Sequence, residues 1–103
     1  ESVWHGLGMV MLKAGKWPEA KEAFAKGLRE VSGDDDRLSH SYGMMLLNEG
    51  DSSSAASVFS SALKAFPTNS RLLLGAALCS VRSGDHSKAR ELFEKAVEAD
   101  AEH

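Results

Sequence analysis

The sequence predicts an all-α protein in which three helix–turn–helix units stack side by side into a solenoid of six helices. Gly15 recurs as Gly50 and Gly84, at intervals of 35 and 34 residues. Other columns recur at the same intervals: Phe24, Phe59 and Phe93; Ala20, Ala55 and Ala89; Leu28, Leu63 and Val97. Within a unit these apolar residues are spaced i, i+4, i+8, the period of one helix face. Neither helix of a unit can bury such a stripe alone, so neighbouring units must share a core.

Helix ends are marked by glycine, proline and capping residues. The repeated glycines follow helical stretches, where a left-handed residue is needed, and Pro18 opens a helix, where its missing N–H costs nothing. The capping oxygens that we expect are those of Ser52 and Ser53 for the fourth helix, Ser70 for the fifth, and Asp85 with Ser87 for the sixth. The predicted helices span residues 2–14, 18–31, 37–49, 53–66, 70–83 and 87–100.

The length and composition of the chain exclude several classes of function. The 103 residues suffice for one domain, and the formal net charge of −3 argues against a nucleic-acid partner. No apolar run approaches the roughly 18 residues of a membrane span. Cys79 is the single cysteine, which excludes an internal disulfide or a cysteine-based zinc site and is compatible with the cytoplasm. Because the chain does not begin with Met, we expect an excerpt of a longer protein.

Nothing in the sequence predicts an enzyme, a cofactor or a metal. A glycine-rich phosphate loop and a Ser/His/Asp arrangement are both missing. His5 and His40 occupy equivalent positions in adjacent units, but Leu74 stands at that position in the third. We therefore expect these histidines to contact a peptide rather than a metal.

The repeated residues resemble the tetratricopeptide repeat, a 34-residue helix–turn–helix unit. The matching residues are Trp4, Leu7, Gly8, Ala20 and Phe24; Tyr42, Gly43, Ala55, Phe59, Ala62 and Pro67; and Ala89, Phe93 and Ala96. The first helices depart from the family pattern, with Met11 and Leu46 in place of an aromatic residue and Ser39 in place of Trp. The resemblance implies a single domain that forms a right-handed superhelix of helix pairs, with repeats over about residues 1–34, 36–69 and 70–103.

The first helix of each unit is apolar on two sides, which predicts two contact faces. In the first unit one face, with Trp4, Leu7, Gly8 and Met11, belongs to the repeat core. In proteins similar to this one, the other face lines the concave side and contacts peptides. The implied positions are His5, Met9, Leu12 and Lys13; Arg37, His40, Met44, Leu47 and Asn48; and Arg71, Leu74, Leu78 and Arg82.

This implied face combines an apolar floor with cations, and no carboxylate occurs among its positions. Methionine side chains adapt to varied apolar partners. We therefore expect a non-catalytic protein-interaction module whose partner is an acidic or amphipathic peptide or helix.

One subclass of the family is not expected. Members that hold the C-terminal tails of cytosolic heat-shock chaperones clamp two carboxylates with Lys, Asn, Asn, Lys and Arg. The matching positions here are His5, Met9, Ser41, Arg71 and Gly75. Only Arg71 keeps a suitable charge, so we do not expect chaperone tails to bind.

The last helix suggests an alternative function. Leu92, Phe93, Ala96 and Val97 form an apolar stripe with no following helix in this sequence to cover it, whereas solenoids normally end in a polar cap. The chain would then be a structural or oligomerisation segment of a longer scaffold, with a homodimer through the C-terminal helix. The family resemblance adds a third reading, a chaperone that holds client segments.

Overall fold

The computed structural model describes residues 3–30 and 36–101, and within these ranges all regular structure is helical. The six helices are α1 (Val3–Lys13), α2 (Trp17–Glu30), α3 (Asp36–Asn48), α4 (Ser52–Ala65), α5 (Ser70–Ser83) and α6 (His86–Ala101). The predicted all-α fold is confirmed, and each helix end that is described lies within one residue of its expected position. None of the described helices is long and apolar enough to cross a membrane.

The helices form two layers. Each consecutive pair of helices is in contact, and α3 also contacts both α1 and α5. Among the described residues, by contrast, α2 does not contact α4, and α4 does not contact α6. The first helices of the three units are therefore closer together than the second helices, so α1, α3 and α5 form the inner, concave side of the curved stack.

Phenylalanines of the outer layer fill the core between these helices. Phe24 and Phe59 are fully buried. The Phe24 ring lies against Gly8 of its own unit, and the Phe59 ring lies against both Gly43 of its own unit and Gly75 of the next. A Cβ at any of these glycines would lie under 3.0 Å from ring atoms. The small residues thus allow α3 and α5 to approach α4 closely.

The turn glycines have the predicted backbone conformation. The φ angles of Gly50 and Gly84 are 91° and 83°, in the left-handed region that side chains disfavour. Each ends a first helix and allows the chain to reverse into the second helix of its unit.

The cap of α4 differs from the prediction. The carboxylate of Asp51, rather than the hydroxyls of Ser52 or Ser53, accepts the backbone N–H of Ser54 at 3.1 Å. This hydrogen bond lowers the pKa of Asp51 below its usual value. Ser52 and Ser53 are already inside the helix, one and two positions too late to cap it.

The cap of α5 also differs from the prediction, whereas the cap of α6 agrees with it. Asn69, not Ser70, caps α5, because its Oδ1 accepts the N–H of Leu72 at 3.1 Å. The expectation for Asp85 is confirmed, since its carboxylate accepts the N–H of Lys88 at 3.2 Å. In both α4 and α5 the cap lies one residue before the predicted serine.

The exposed stripe expected on α6 is narrower than predicted. Leu92 is buried in a cluster with Leu73, Ala77 and Ala99, because α5 covers that side of the helix. Val97 is the large apolar side chain of the stripe that stays exposed.

Candidate functional site

The floor of the concave face rests directly on the core. Met9 and Leu12 pack against the cluster around Phe24, and Met44 and Leu78 pack against the cluster around Phe59. All four side chains are half-buried, so part of each faces solvent. Leu74 on α5 is more exposed. Each of the three inner helices therefore contributes apolar side chains that are partly exposed, and four of these rest on the core.

Leu47 does not belong to this floor. Its side chain is 2% exposed and lies in the Phe59 cluster, so it offers no surface to a ligand. Its backbone carbonyl instead accepts a hydrogen bond from Nη1 of Arg82 at 2.8 Å. Arg82 thus links α5 to the carboxyl end of α3, where carbonyls lack partners within the helix and positive charge is favourable.

The two histidines occupy equivalent environments. The ring centroids of His5 and Phe24 lie 6.3 Å apart, and those of His40 and Phe59 lie 6.4 Å apart. His5 also shares a hydrogen bond of 2.9 Å, through Nε2, with the Ser41 hydroxyl on the neighbouring helix α3. Each histidine therefore lies next to the buried phenylalanine of its own unit.

The pKa of His40 is lowered, which favours the neutral form of its ring. Burial lowers its pKa from the ordinary value of 6.5, and the nearby Arg71 guanidinium lowers it further, against the opposing effect of Asp36. Its ring can therefore donate or accept hydrogen bonds without adding positive charge. In the part of the chain that the structure describes, no three His, Cys, Asp or Glu side chains are grouped as metal ligands would be.

Asp36 is a member of this site that the sequence analysis missed. Its Oδ2 lies 3.8 Å from Nη2 of Arg71 and accepts a 2.7 Å hydrogen bond from Nδ2 of Asn69. The carboxylate lies just before Arg37, the first position implied by the resemblance, and the stacking of α5 on α3 brings Arg71 to it. The alignment of residue 71 with the start of α3 was the one signal that could have indicated this contact.

The remaining predicted residues lie at the two ends of the inner helices. Arg37 and Arg71 lie in the first turns of α3 and α5, whereas Lys13 and Asn48 are the last residues of α1 and α3. All four are exposed. With Arg82, four of the predicted positions are cations, and among the described residues the Asp36 carboxylate lies beside one of them, Arg71.

The outer side of the molecule carries a cleft. It has a volume of about 560 Å³ and separates α4 from α6, with Cys79 and several serines in its lining. Cys79 is buried, and this burial raises its thiol pKa, which keeps it protonated.

These features define a repeat protein of stacked helical hairpins whose inner helices present a common surface. Two profiles described as "Tetratricopeptide repeat" match the chain, one over residues 5–70 and one over residues 46–103. The chain belongs to the tetratricopeptide repeat family, whose domains are in general non-catalytic protein-interaction modules. A search among curated protein sequences gives no match to this chain.

Solved structures of the same fold are similar to this one. The second TPR of Spaghetti (RPAP3), bound to the HSP90 peptide SRMEEVD, has a TM-score of 0.85 at 18% identity, over 93% of this chain and 88% of that chain. A crystal structure of MamA gives 0.87 at 17% identity, over 96% and 57%. MamA AMB-1 gives 0.84 at 24% identity, over 96% and 54%. This chain therefore spans little more than half the length of the MamA chains, and at these identities the likeness concerns the fold.

Proposed function

We propose that this chain binds a peptide or helix of a partner protein on the concave face of α1, α3 and α5. The observation that carries the proposal is that Met9, Met44 and Leu78, one from each inner helix, are half-buried apolar side chains supported by the core. The general role of the family supports the same conclusion. A partner segment would remove this floor from water at a gain of about 25 cal/mol per Å² of apolar surface buried.

The ligand would be amphipathic and acidic. Its apolar residues would cover the floor, and its carboxylates would lie near the arginines in the first turns of α3 and α5. Oδ2 of Asp36 lies 3.8 Å from Nη2 of Arg71, and the Arg71 side chain is more than half exposed. An exposed pair of this kind contributes about 0–1 kcal/mol, so a ligand carboxylate can compete for it at small cost.

Chaperone tails should bind weakly, unlike in the RPAP3 domain, whose structure holds an HSP90 peptide. Of the positions that match the two-carboxylate clamp, Gly75 is covered by the Phe59 ring, and His5 is engaged with Ser41. Arg71 is the one clamp position that carries a Lys or Arg, so the second carboxylate of a chaperone tail would have no cationic partner in the clamp. The peptide SRMEEVD is therefore a useful specificity probe.

The test is calorimetry with the tightest binder selected from a library of acidic amphipathic peptides. Leu74→Glu should weaken binding at least tenfold, and Arg71→Gln should weaken it by up to about fivefold, the loss of one exposed ion pair. Ala56→Glu and Lys64→Gln on the outer helix α4 should leave binding unchanged. The Gln substitution removes the positive charge without placing a second carboxylate beside Asp36. Circular dichroism checks that every variant stays helical.

Two results would contradict the proposal. One is equal affinity of the concave-face variants and the α4 controls for the selected peptide. The other is a library from which no peptide binds. Binding of SRMEEVD as tight as that of the selected peptide would contradict the specificity argument and leave the groove itself supported.

A further inference from the structure

The cleft between α4 and α6, which we call the outer cleft, has small side chains where the preceding unit has large ones. Three residues of α5 that line it have larger counterparts on α3, at the repeat interval of 34 residues. They are Ala76, Cys79 and Ser80, aligned with Tyr42, Met45 and Leu46. Tyr42 packs against the clusters around Phe24 and Phe59, and the other two α3 residues are each 2% exposed. In the second unit, therefore, the protein's own side chains fill space that the small residues of α5 leave open.

The mouth of the outer cleft is open for the same reason. In the preceding unit, Lys21 of α2 and Glu49 at the end of α3 form an ion pair of 3.7 Å. The aligned residues are Ala56 of α4 and Ser83 of α5, which both line the outer cleft and cannot form such a pair. Small residues on two different helices thus face the same space, and together they leave it unfilled.

The open space has the size of a small-molecule site. Its volume of about 560 Å³ lies within the roughly 300–1,000 Å³ of ligand pockets. Leu63 of α4 and Leu92 of α6 contribute apolar side chains to its lining. The outer cleft therefore combines apolar walls with a few polar groups, as ligand sites do.

The polar groups of α5 offer hydrogen-bond acceptors to the outer cleft. Oγ of Ser80 donates to the Ala76 carbonyl at 3.2 Å, and Oγ of Ser83 donates to the Ser80 carbonyl at 3.0 Å. Because a hydroxyl has one proton and two lone pairs, both of these hydroxyls can only accept a further hydrogen bond. The Cys79 thiol, 3% exposed, makes no hydrogen bond to another described residue. A ligand that donates a hydrogen bond therefore suits this lining.

The charges of the lining balance. Asp85 and Lys88 are its charged residues, and the Asp85 carboxylate accepts the backbone N–H of Lys88 at 3.2 Å. Arg82 acts on the Cys79 thiol from outside the lining, and its guanidinium is bonded to the Leu47 carbonyl. One carboxylate and one ammonium group favour a ligand without net charge, because an ion would meet repulsion as well as attraction.

We propose that the outer cleft binds an uncharged phenolic compound. Its aromatic ring would lie over Ala76, in the space that the Tyr42 phenol fills in the preceding unit, and its hydroxyl would donate to Ser80 or Ser83. The inference does not depend on the peptide-binding proposal, because none of the concave positions lines the outer cleft. The cleft lies within the chain, between two consecutive units.

The test is an NMR titration of the isotope-labelled chain with p-cresol, which is the tyrosine side chain as a free molecule. The shift changes should saturate and should be centred on the backbone amides of lining residues such as Ser60, Ser80 and Lys88. Toluene, which lacks the hydroxyl, should bind about fivefold more weakly, the loss of one hydrogen bond. The charged analogue p-toluate should also bind more weakly than p-cresol.

Two variants restore the side chains of the preceding unit. Ser80→Leu fills the floor with the residue that α3 has at this position. The double substitution Ala56→Lys and Ser83→Glu recreates the ion pair across the mouth, at two exposed positions. Each should weaken p-cresol binding by about tenfold or more, because the ring would then meet filled space. Leu74→Glu on the concave face is the control and should bind p-cresol like the wild type.

Circular dichroism verifies that every variant folds. Shift changes that do not saturate, or that centre on the concave face, would overturn the inference. Equal p-cresol affinity of the wild type and both filled variants would overturn it as well. Toluene or p-toluate that binds as tightly as p-cresol would refute the assignment of an uncharged phenol.

Discussion

Replacing Gly75 with alanine should destabilise the fold, although alanine is the better helix former. In a helix interior, Gly→Ala normally stabilises by roughly 0.5–1 kcal/mol. At Gly75, however, the new methyl group would lie under 3.0 Å from three ring atoms of Phe59. That ring is 0% exposed and also lies against Gly43, so it has little room to move. Overpacking of this kind costs about 1–3 kcal/mol, which leaves a net loss of roughly 1 kcal/mol.

Gly6 provides the matched control, because it occupies the aligned position on α1. A Cβ added there meets no atom within 4 Å, so Gly6→Ala should show only the gain in helix propensity. The difference between the two variants isolates the steric cost, about 1–3 kcal/mol. Urea denaturation followed by circular dichroism measures both, and in a domain of this size 1 kcal/mol corresponds to about 4–8 °C in Tm.

A double-mutant cycle attributes the cost to the ring. Phe59→Leu shortens the side chain that the methyl group would strike, so the pair Gly75→Ala and Phe59→Leu should couple favourably by at least about 0.5 kcal/mol. The pair Gly6→Ala and Phe59→Leu should be additive. If Gly75→Ala stabilised the protein as much as Gly6→Ala, the close packing of α5 on Phe59 would be refuted.

Three further predictions concern single side chains. Asn69→Ala should cost about 1–2 kcal/mol in urea denaturation, because it removes the α5 cap and the bond to Asp36; unchanged stability would contradict this. Because the pKa of His40 is lowered in the folded protein, the unfolded chain binds a proton at a higher pH, near 6.5, than the folded protein does. The free energy of unfolding should therefore decrease as the pH falls from 6.5 toward the pKa of the folded state. In His40→Gln that part of the pH dependence should disappear, whereas His86→Gln on exposed α6 should keep it. Cys79 should react slowly with a thiol reagent in the native state and faster as urea unfolds the chain; rapid native labelling would show that the thiol is accessible.

The fold was predictable because the same pattern of residues occurs three times in the sequence. The glycine and phenylalanine columns fixed the helix–turn–helix unit, and the positive φ angles of Gly50 and Gly84 follow from their place after each first helix. The caps of α4 and α5 were harder, since Asp51 and Asn69 adjoin serines that have almost equal capping preference. Only the exact helix start distinguishes them.

The positions of the concave face could be predicted from the sequence, but the burial and the partners of their side chains could not. Repeat alignment identifies the face of α3 on which Leu47 lies, but it does not reveal how deeply neighbouring helices bury that side chain. The Asp36–Arg71 pair joins residues 35 positions apart. Leu7, expected in the repeat core, is instead 42% exposed, and its exposure depends on whether a helix precedes α1. Each of these depends on packing between units, which a pattern read within one unit does not contain.

The position of Phe59 between Gly43 and Gly75 also has a consequence for how the molecule melts. Stability in stacked repeats is a sum of terms intrinsic to each unit and terms between nearest neighbours. A ring that is buried jointly by α3 and α5 loses its surroundings when either helix unfolds, so it contributes to the neighbour term. The helices on both sides of Phe59 should therefore unfold in one cooperative step, and their backbone amides should exchange hydrogen with solvent more slowly than those of α1 and α6.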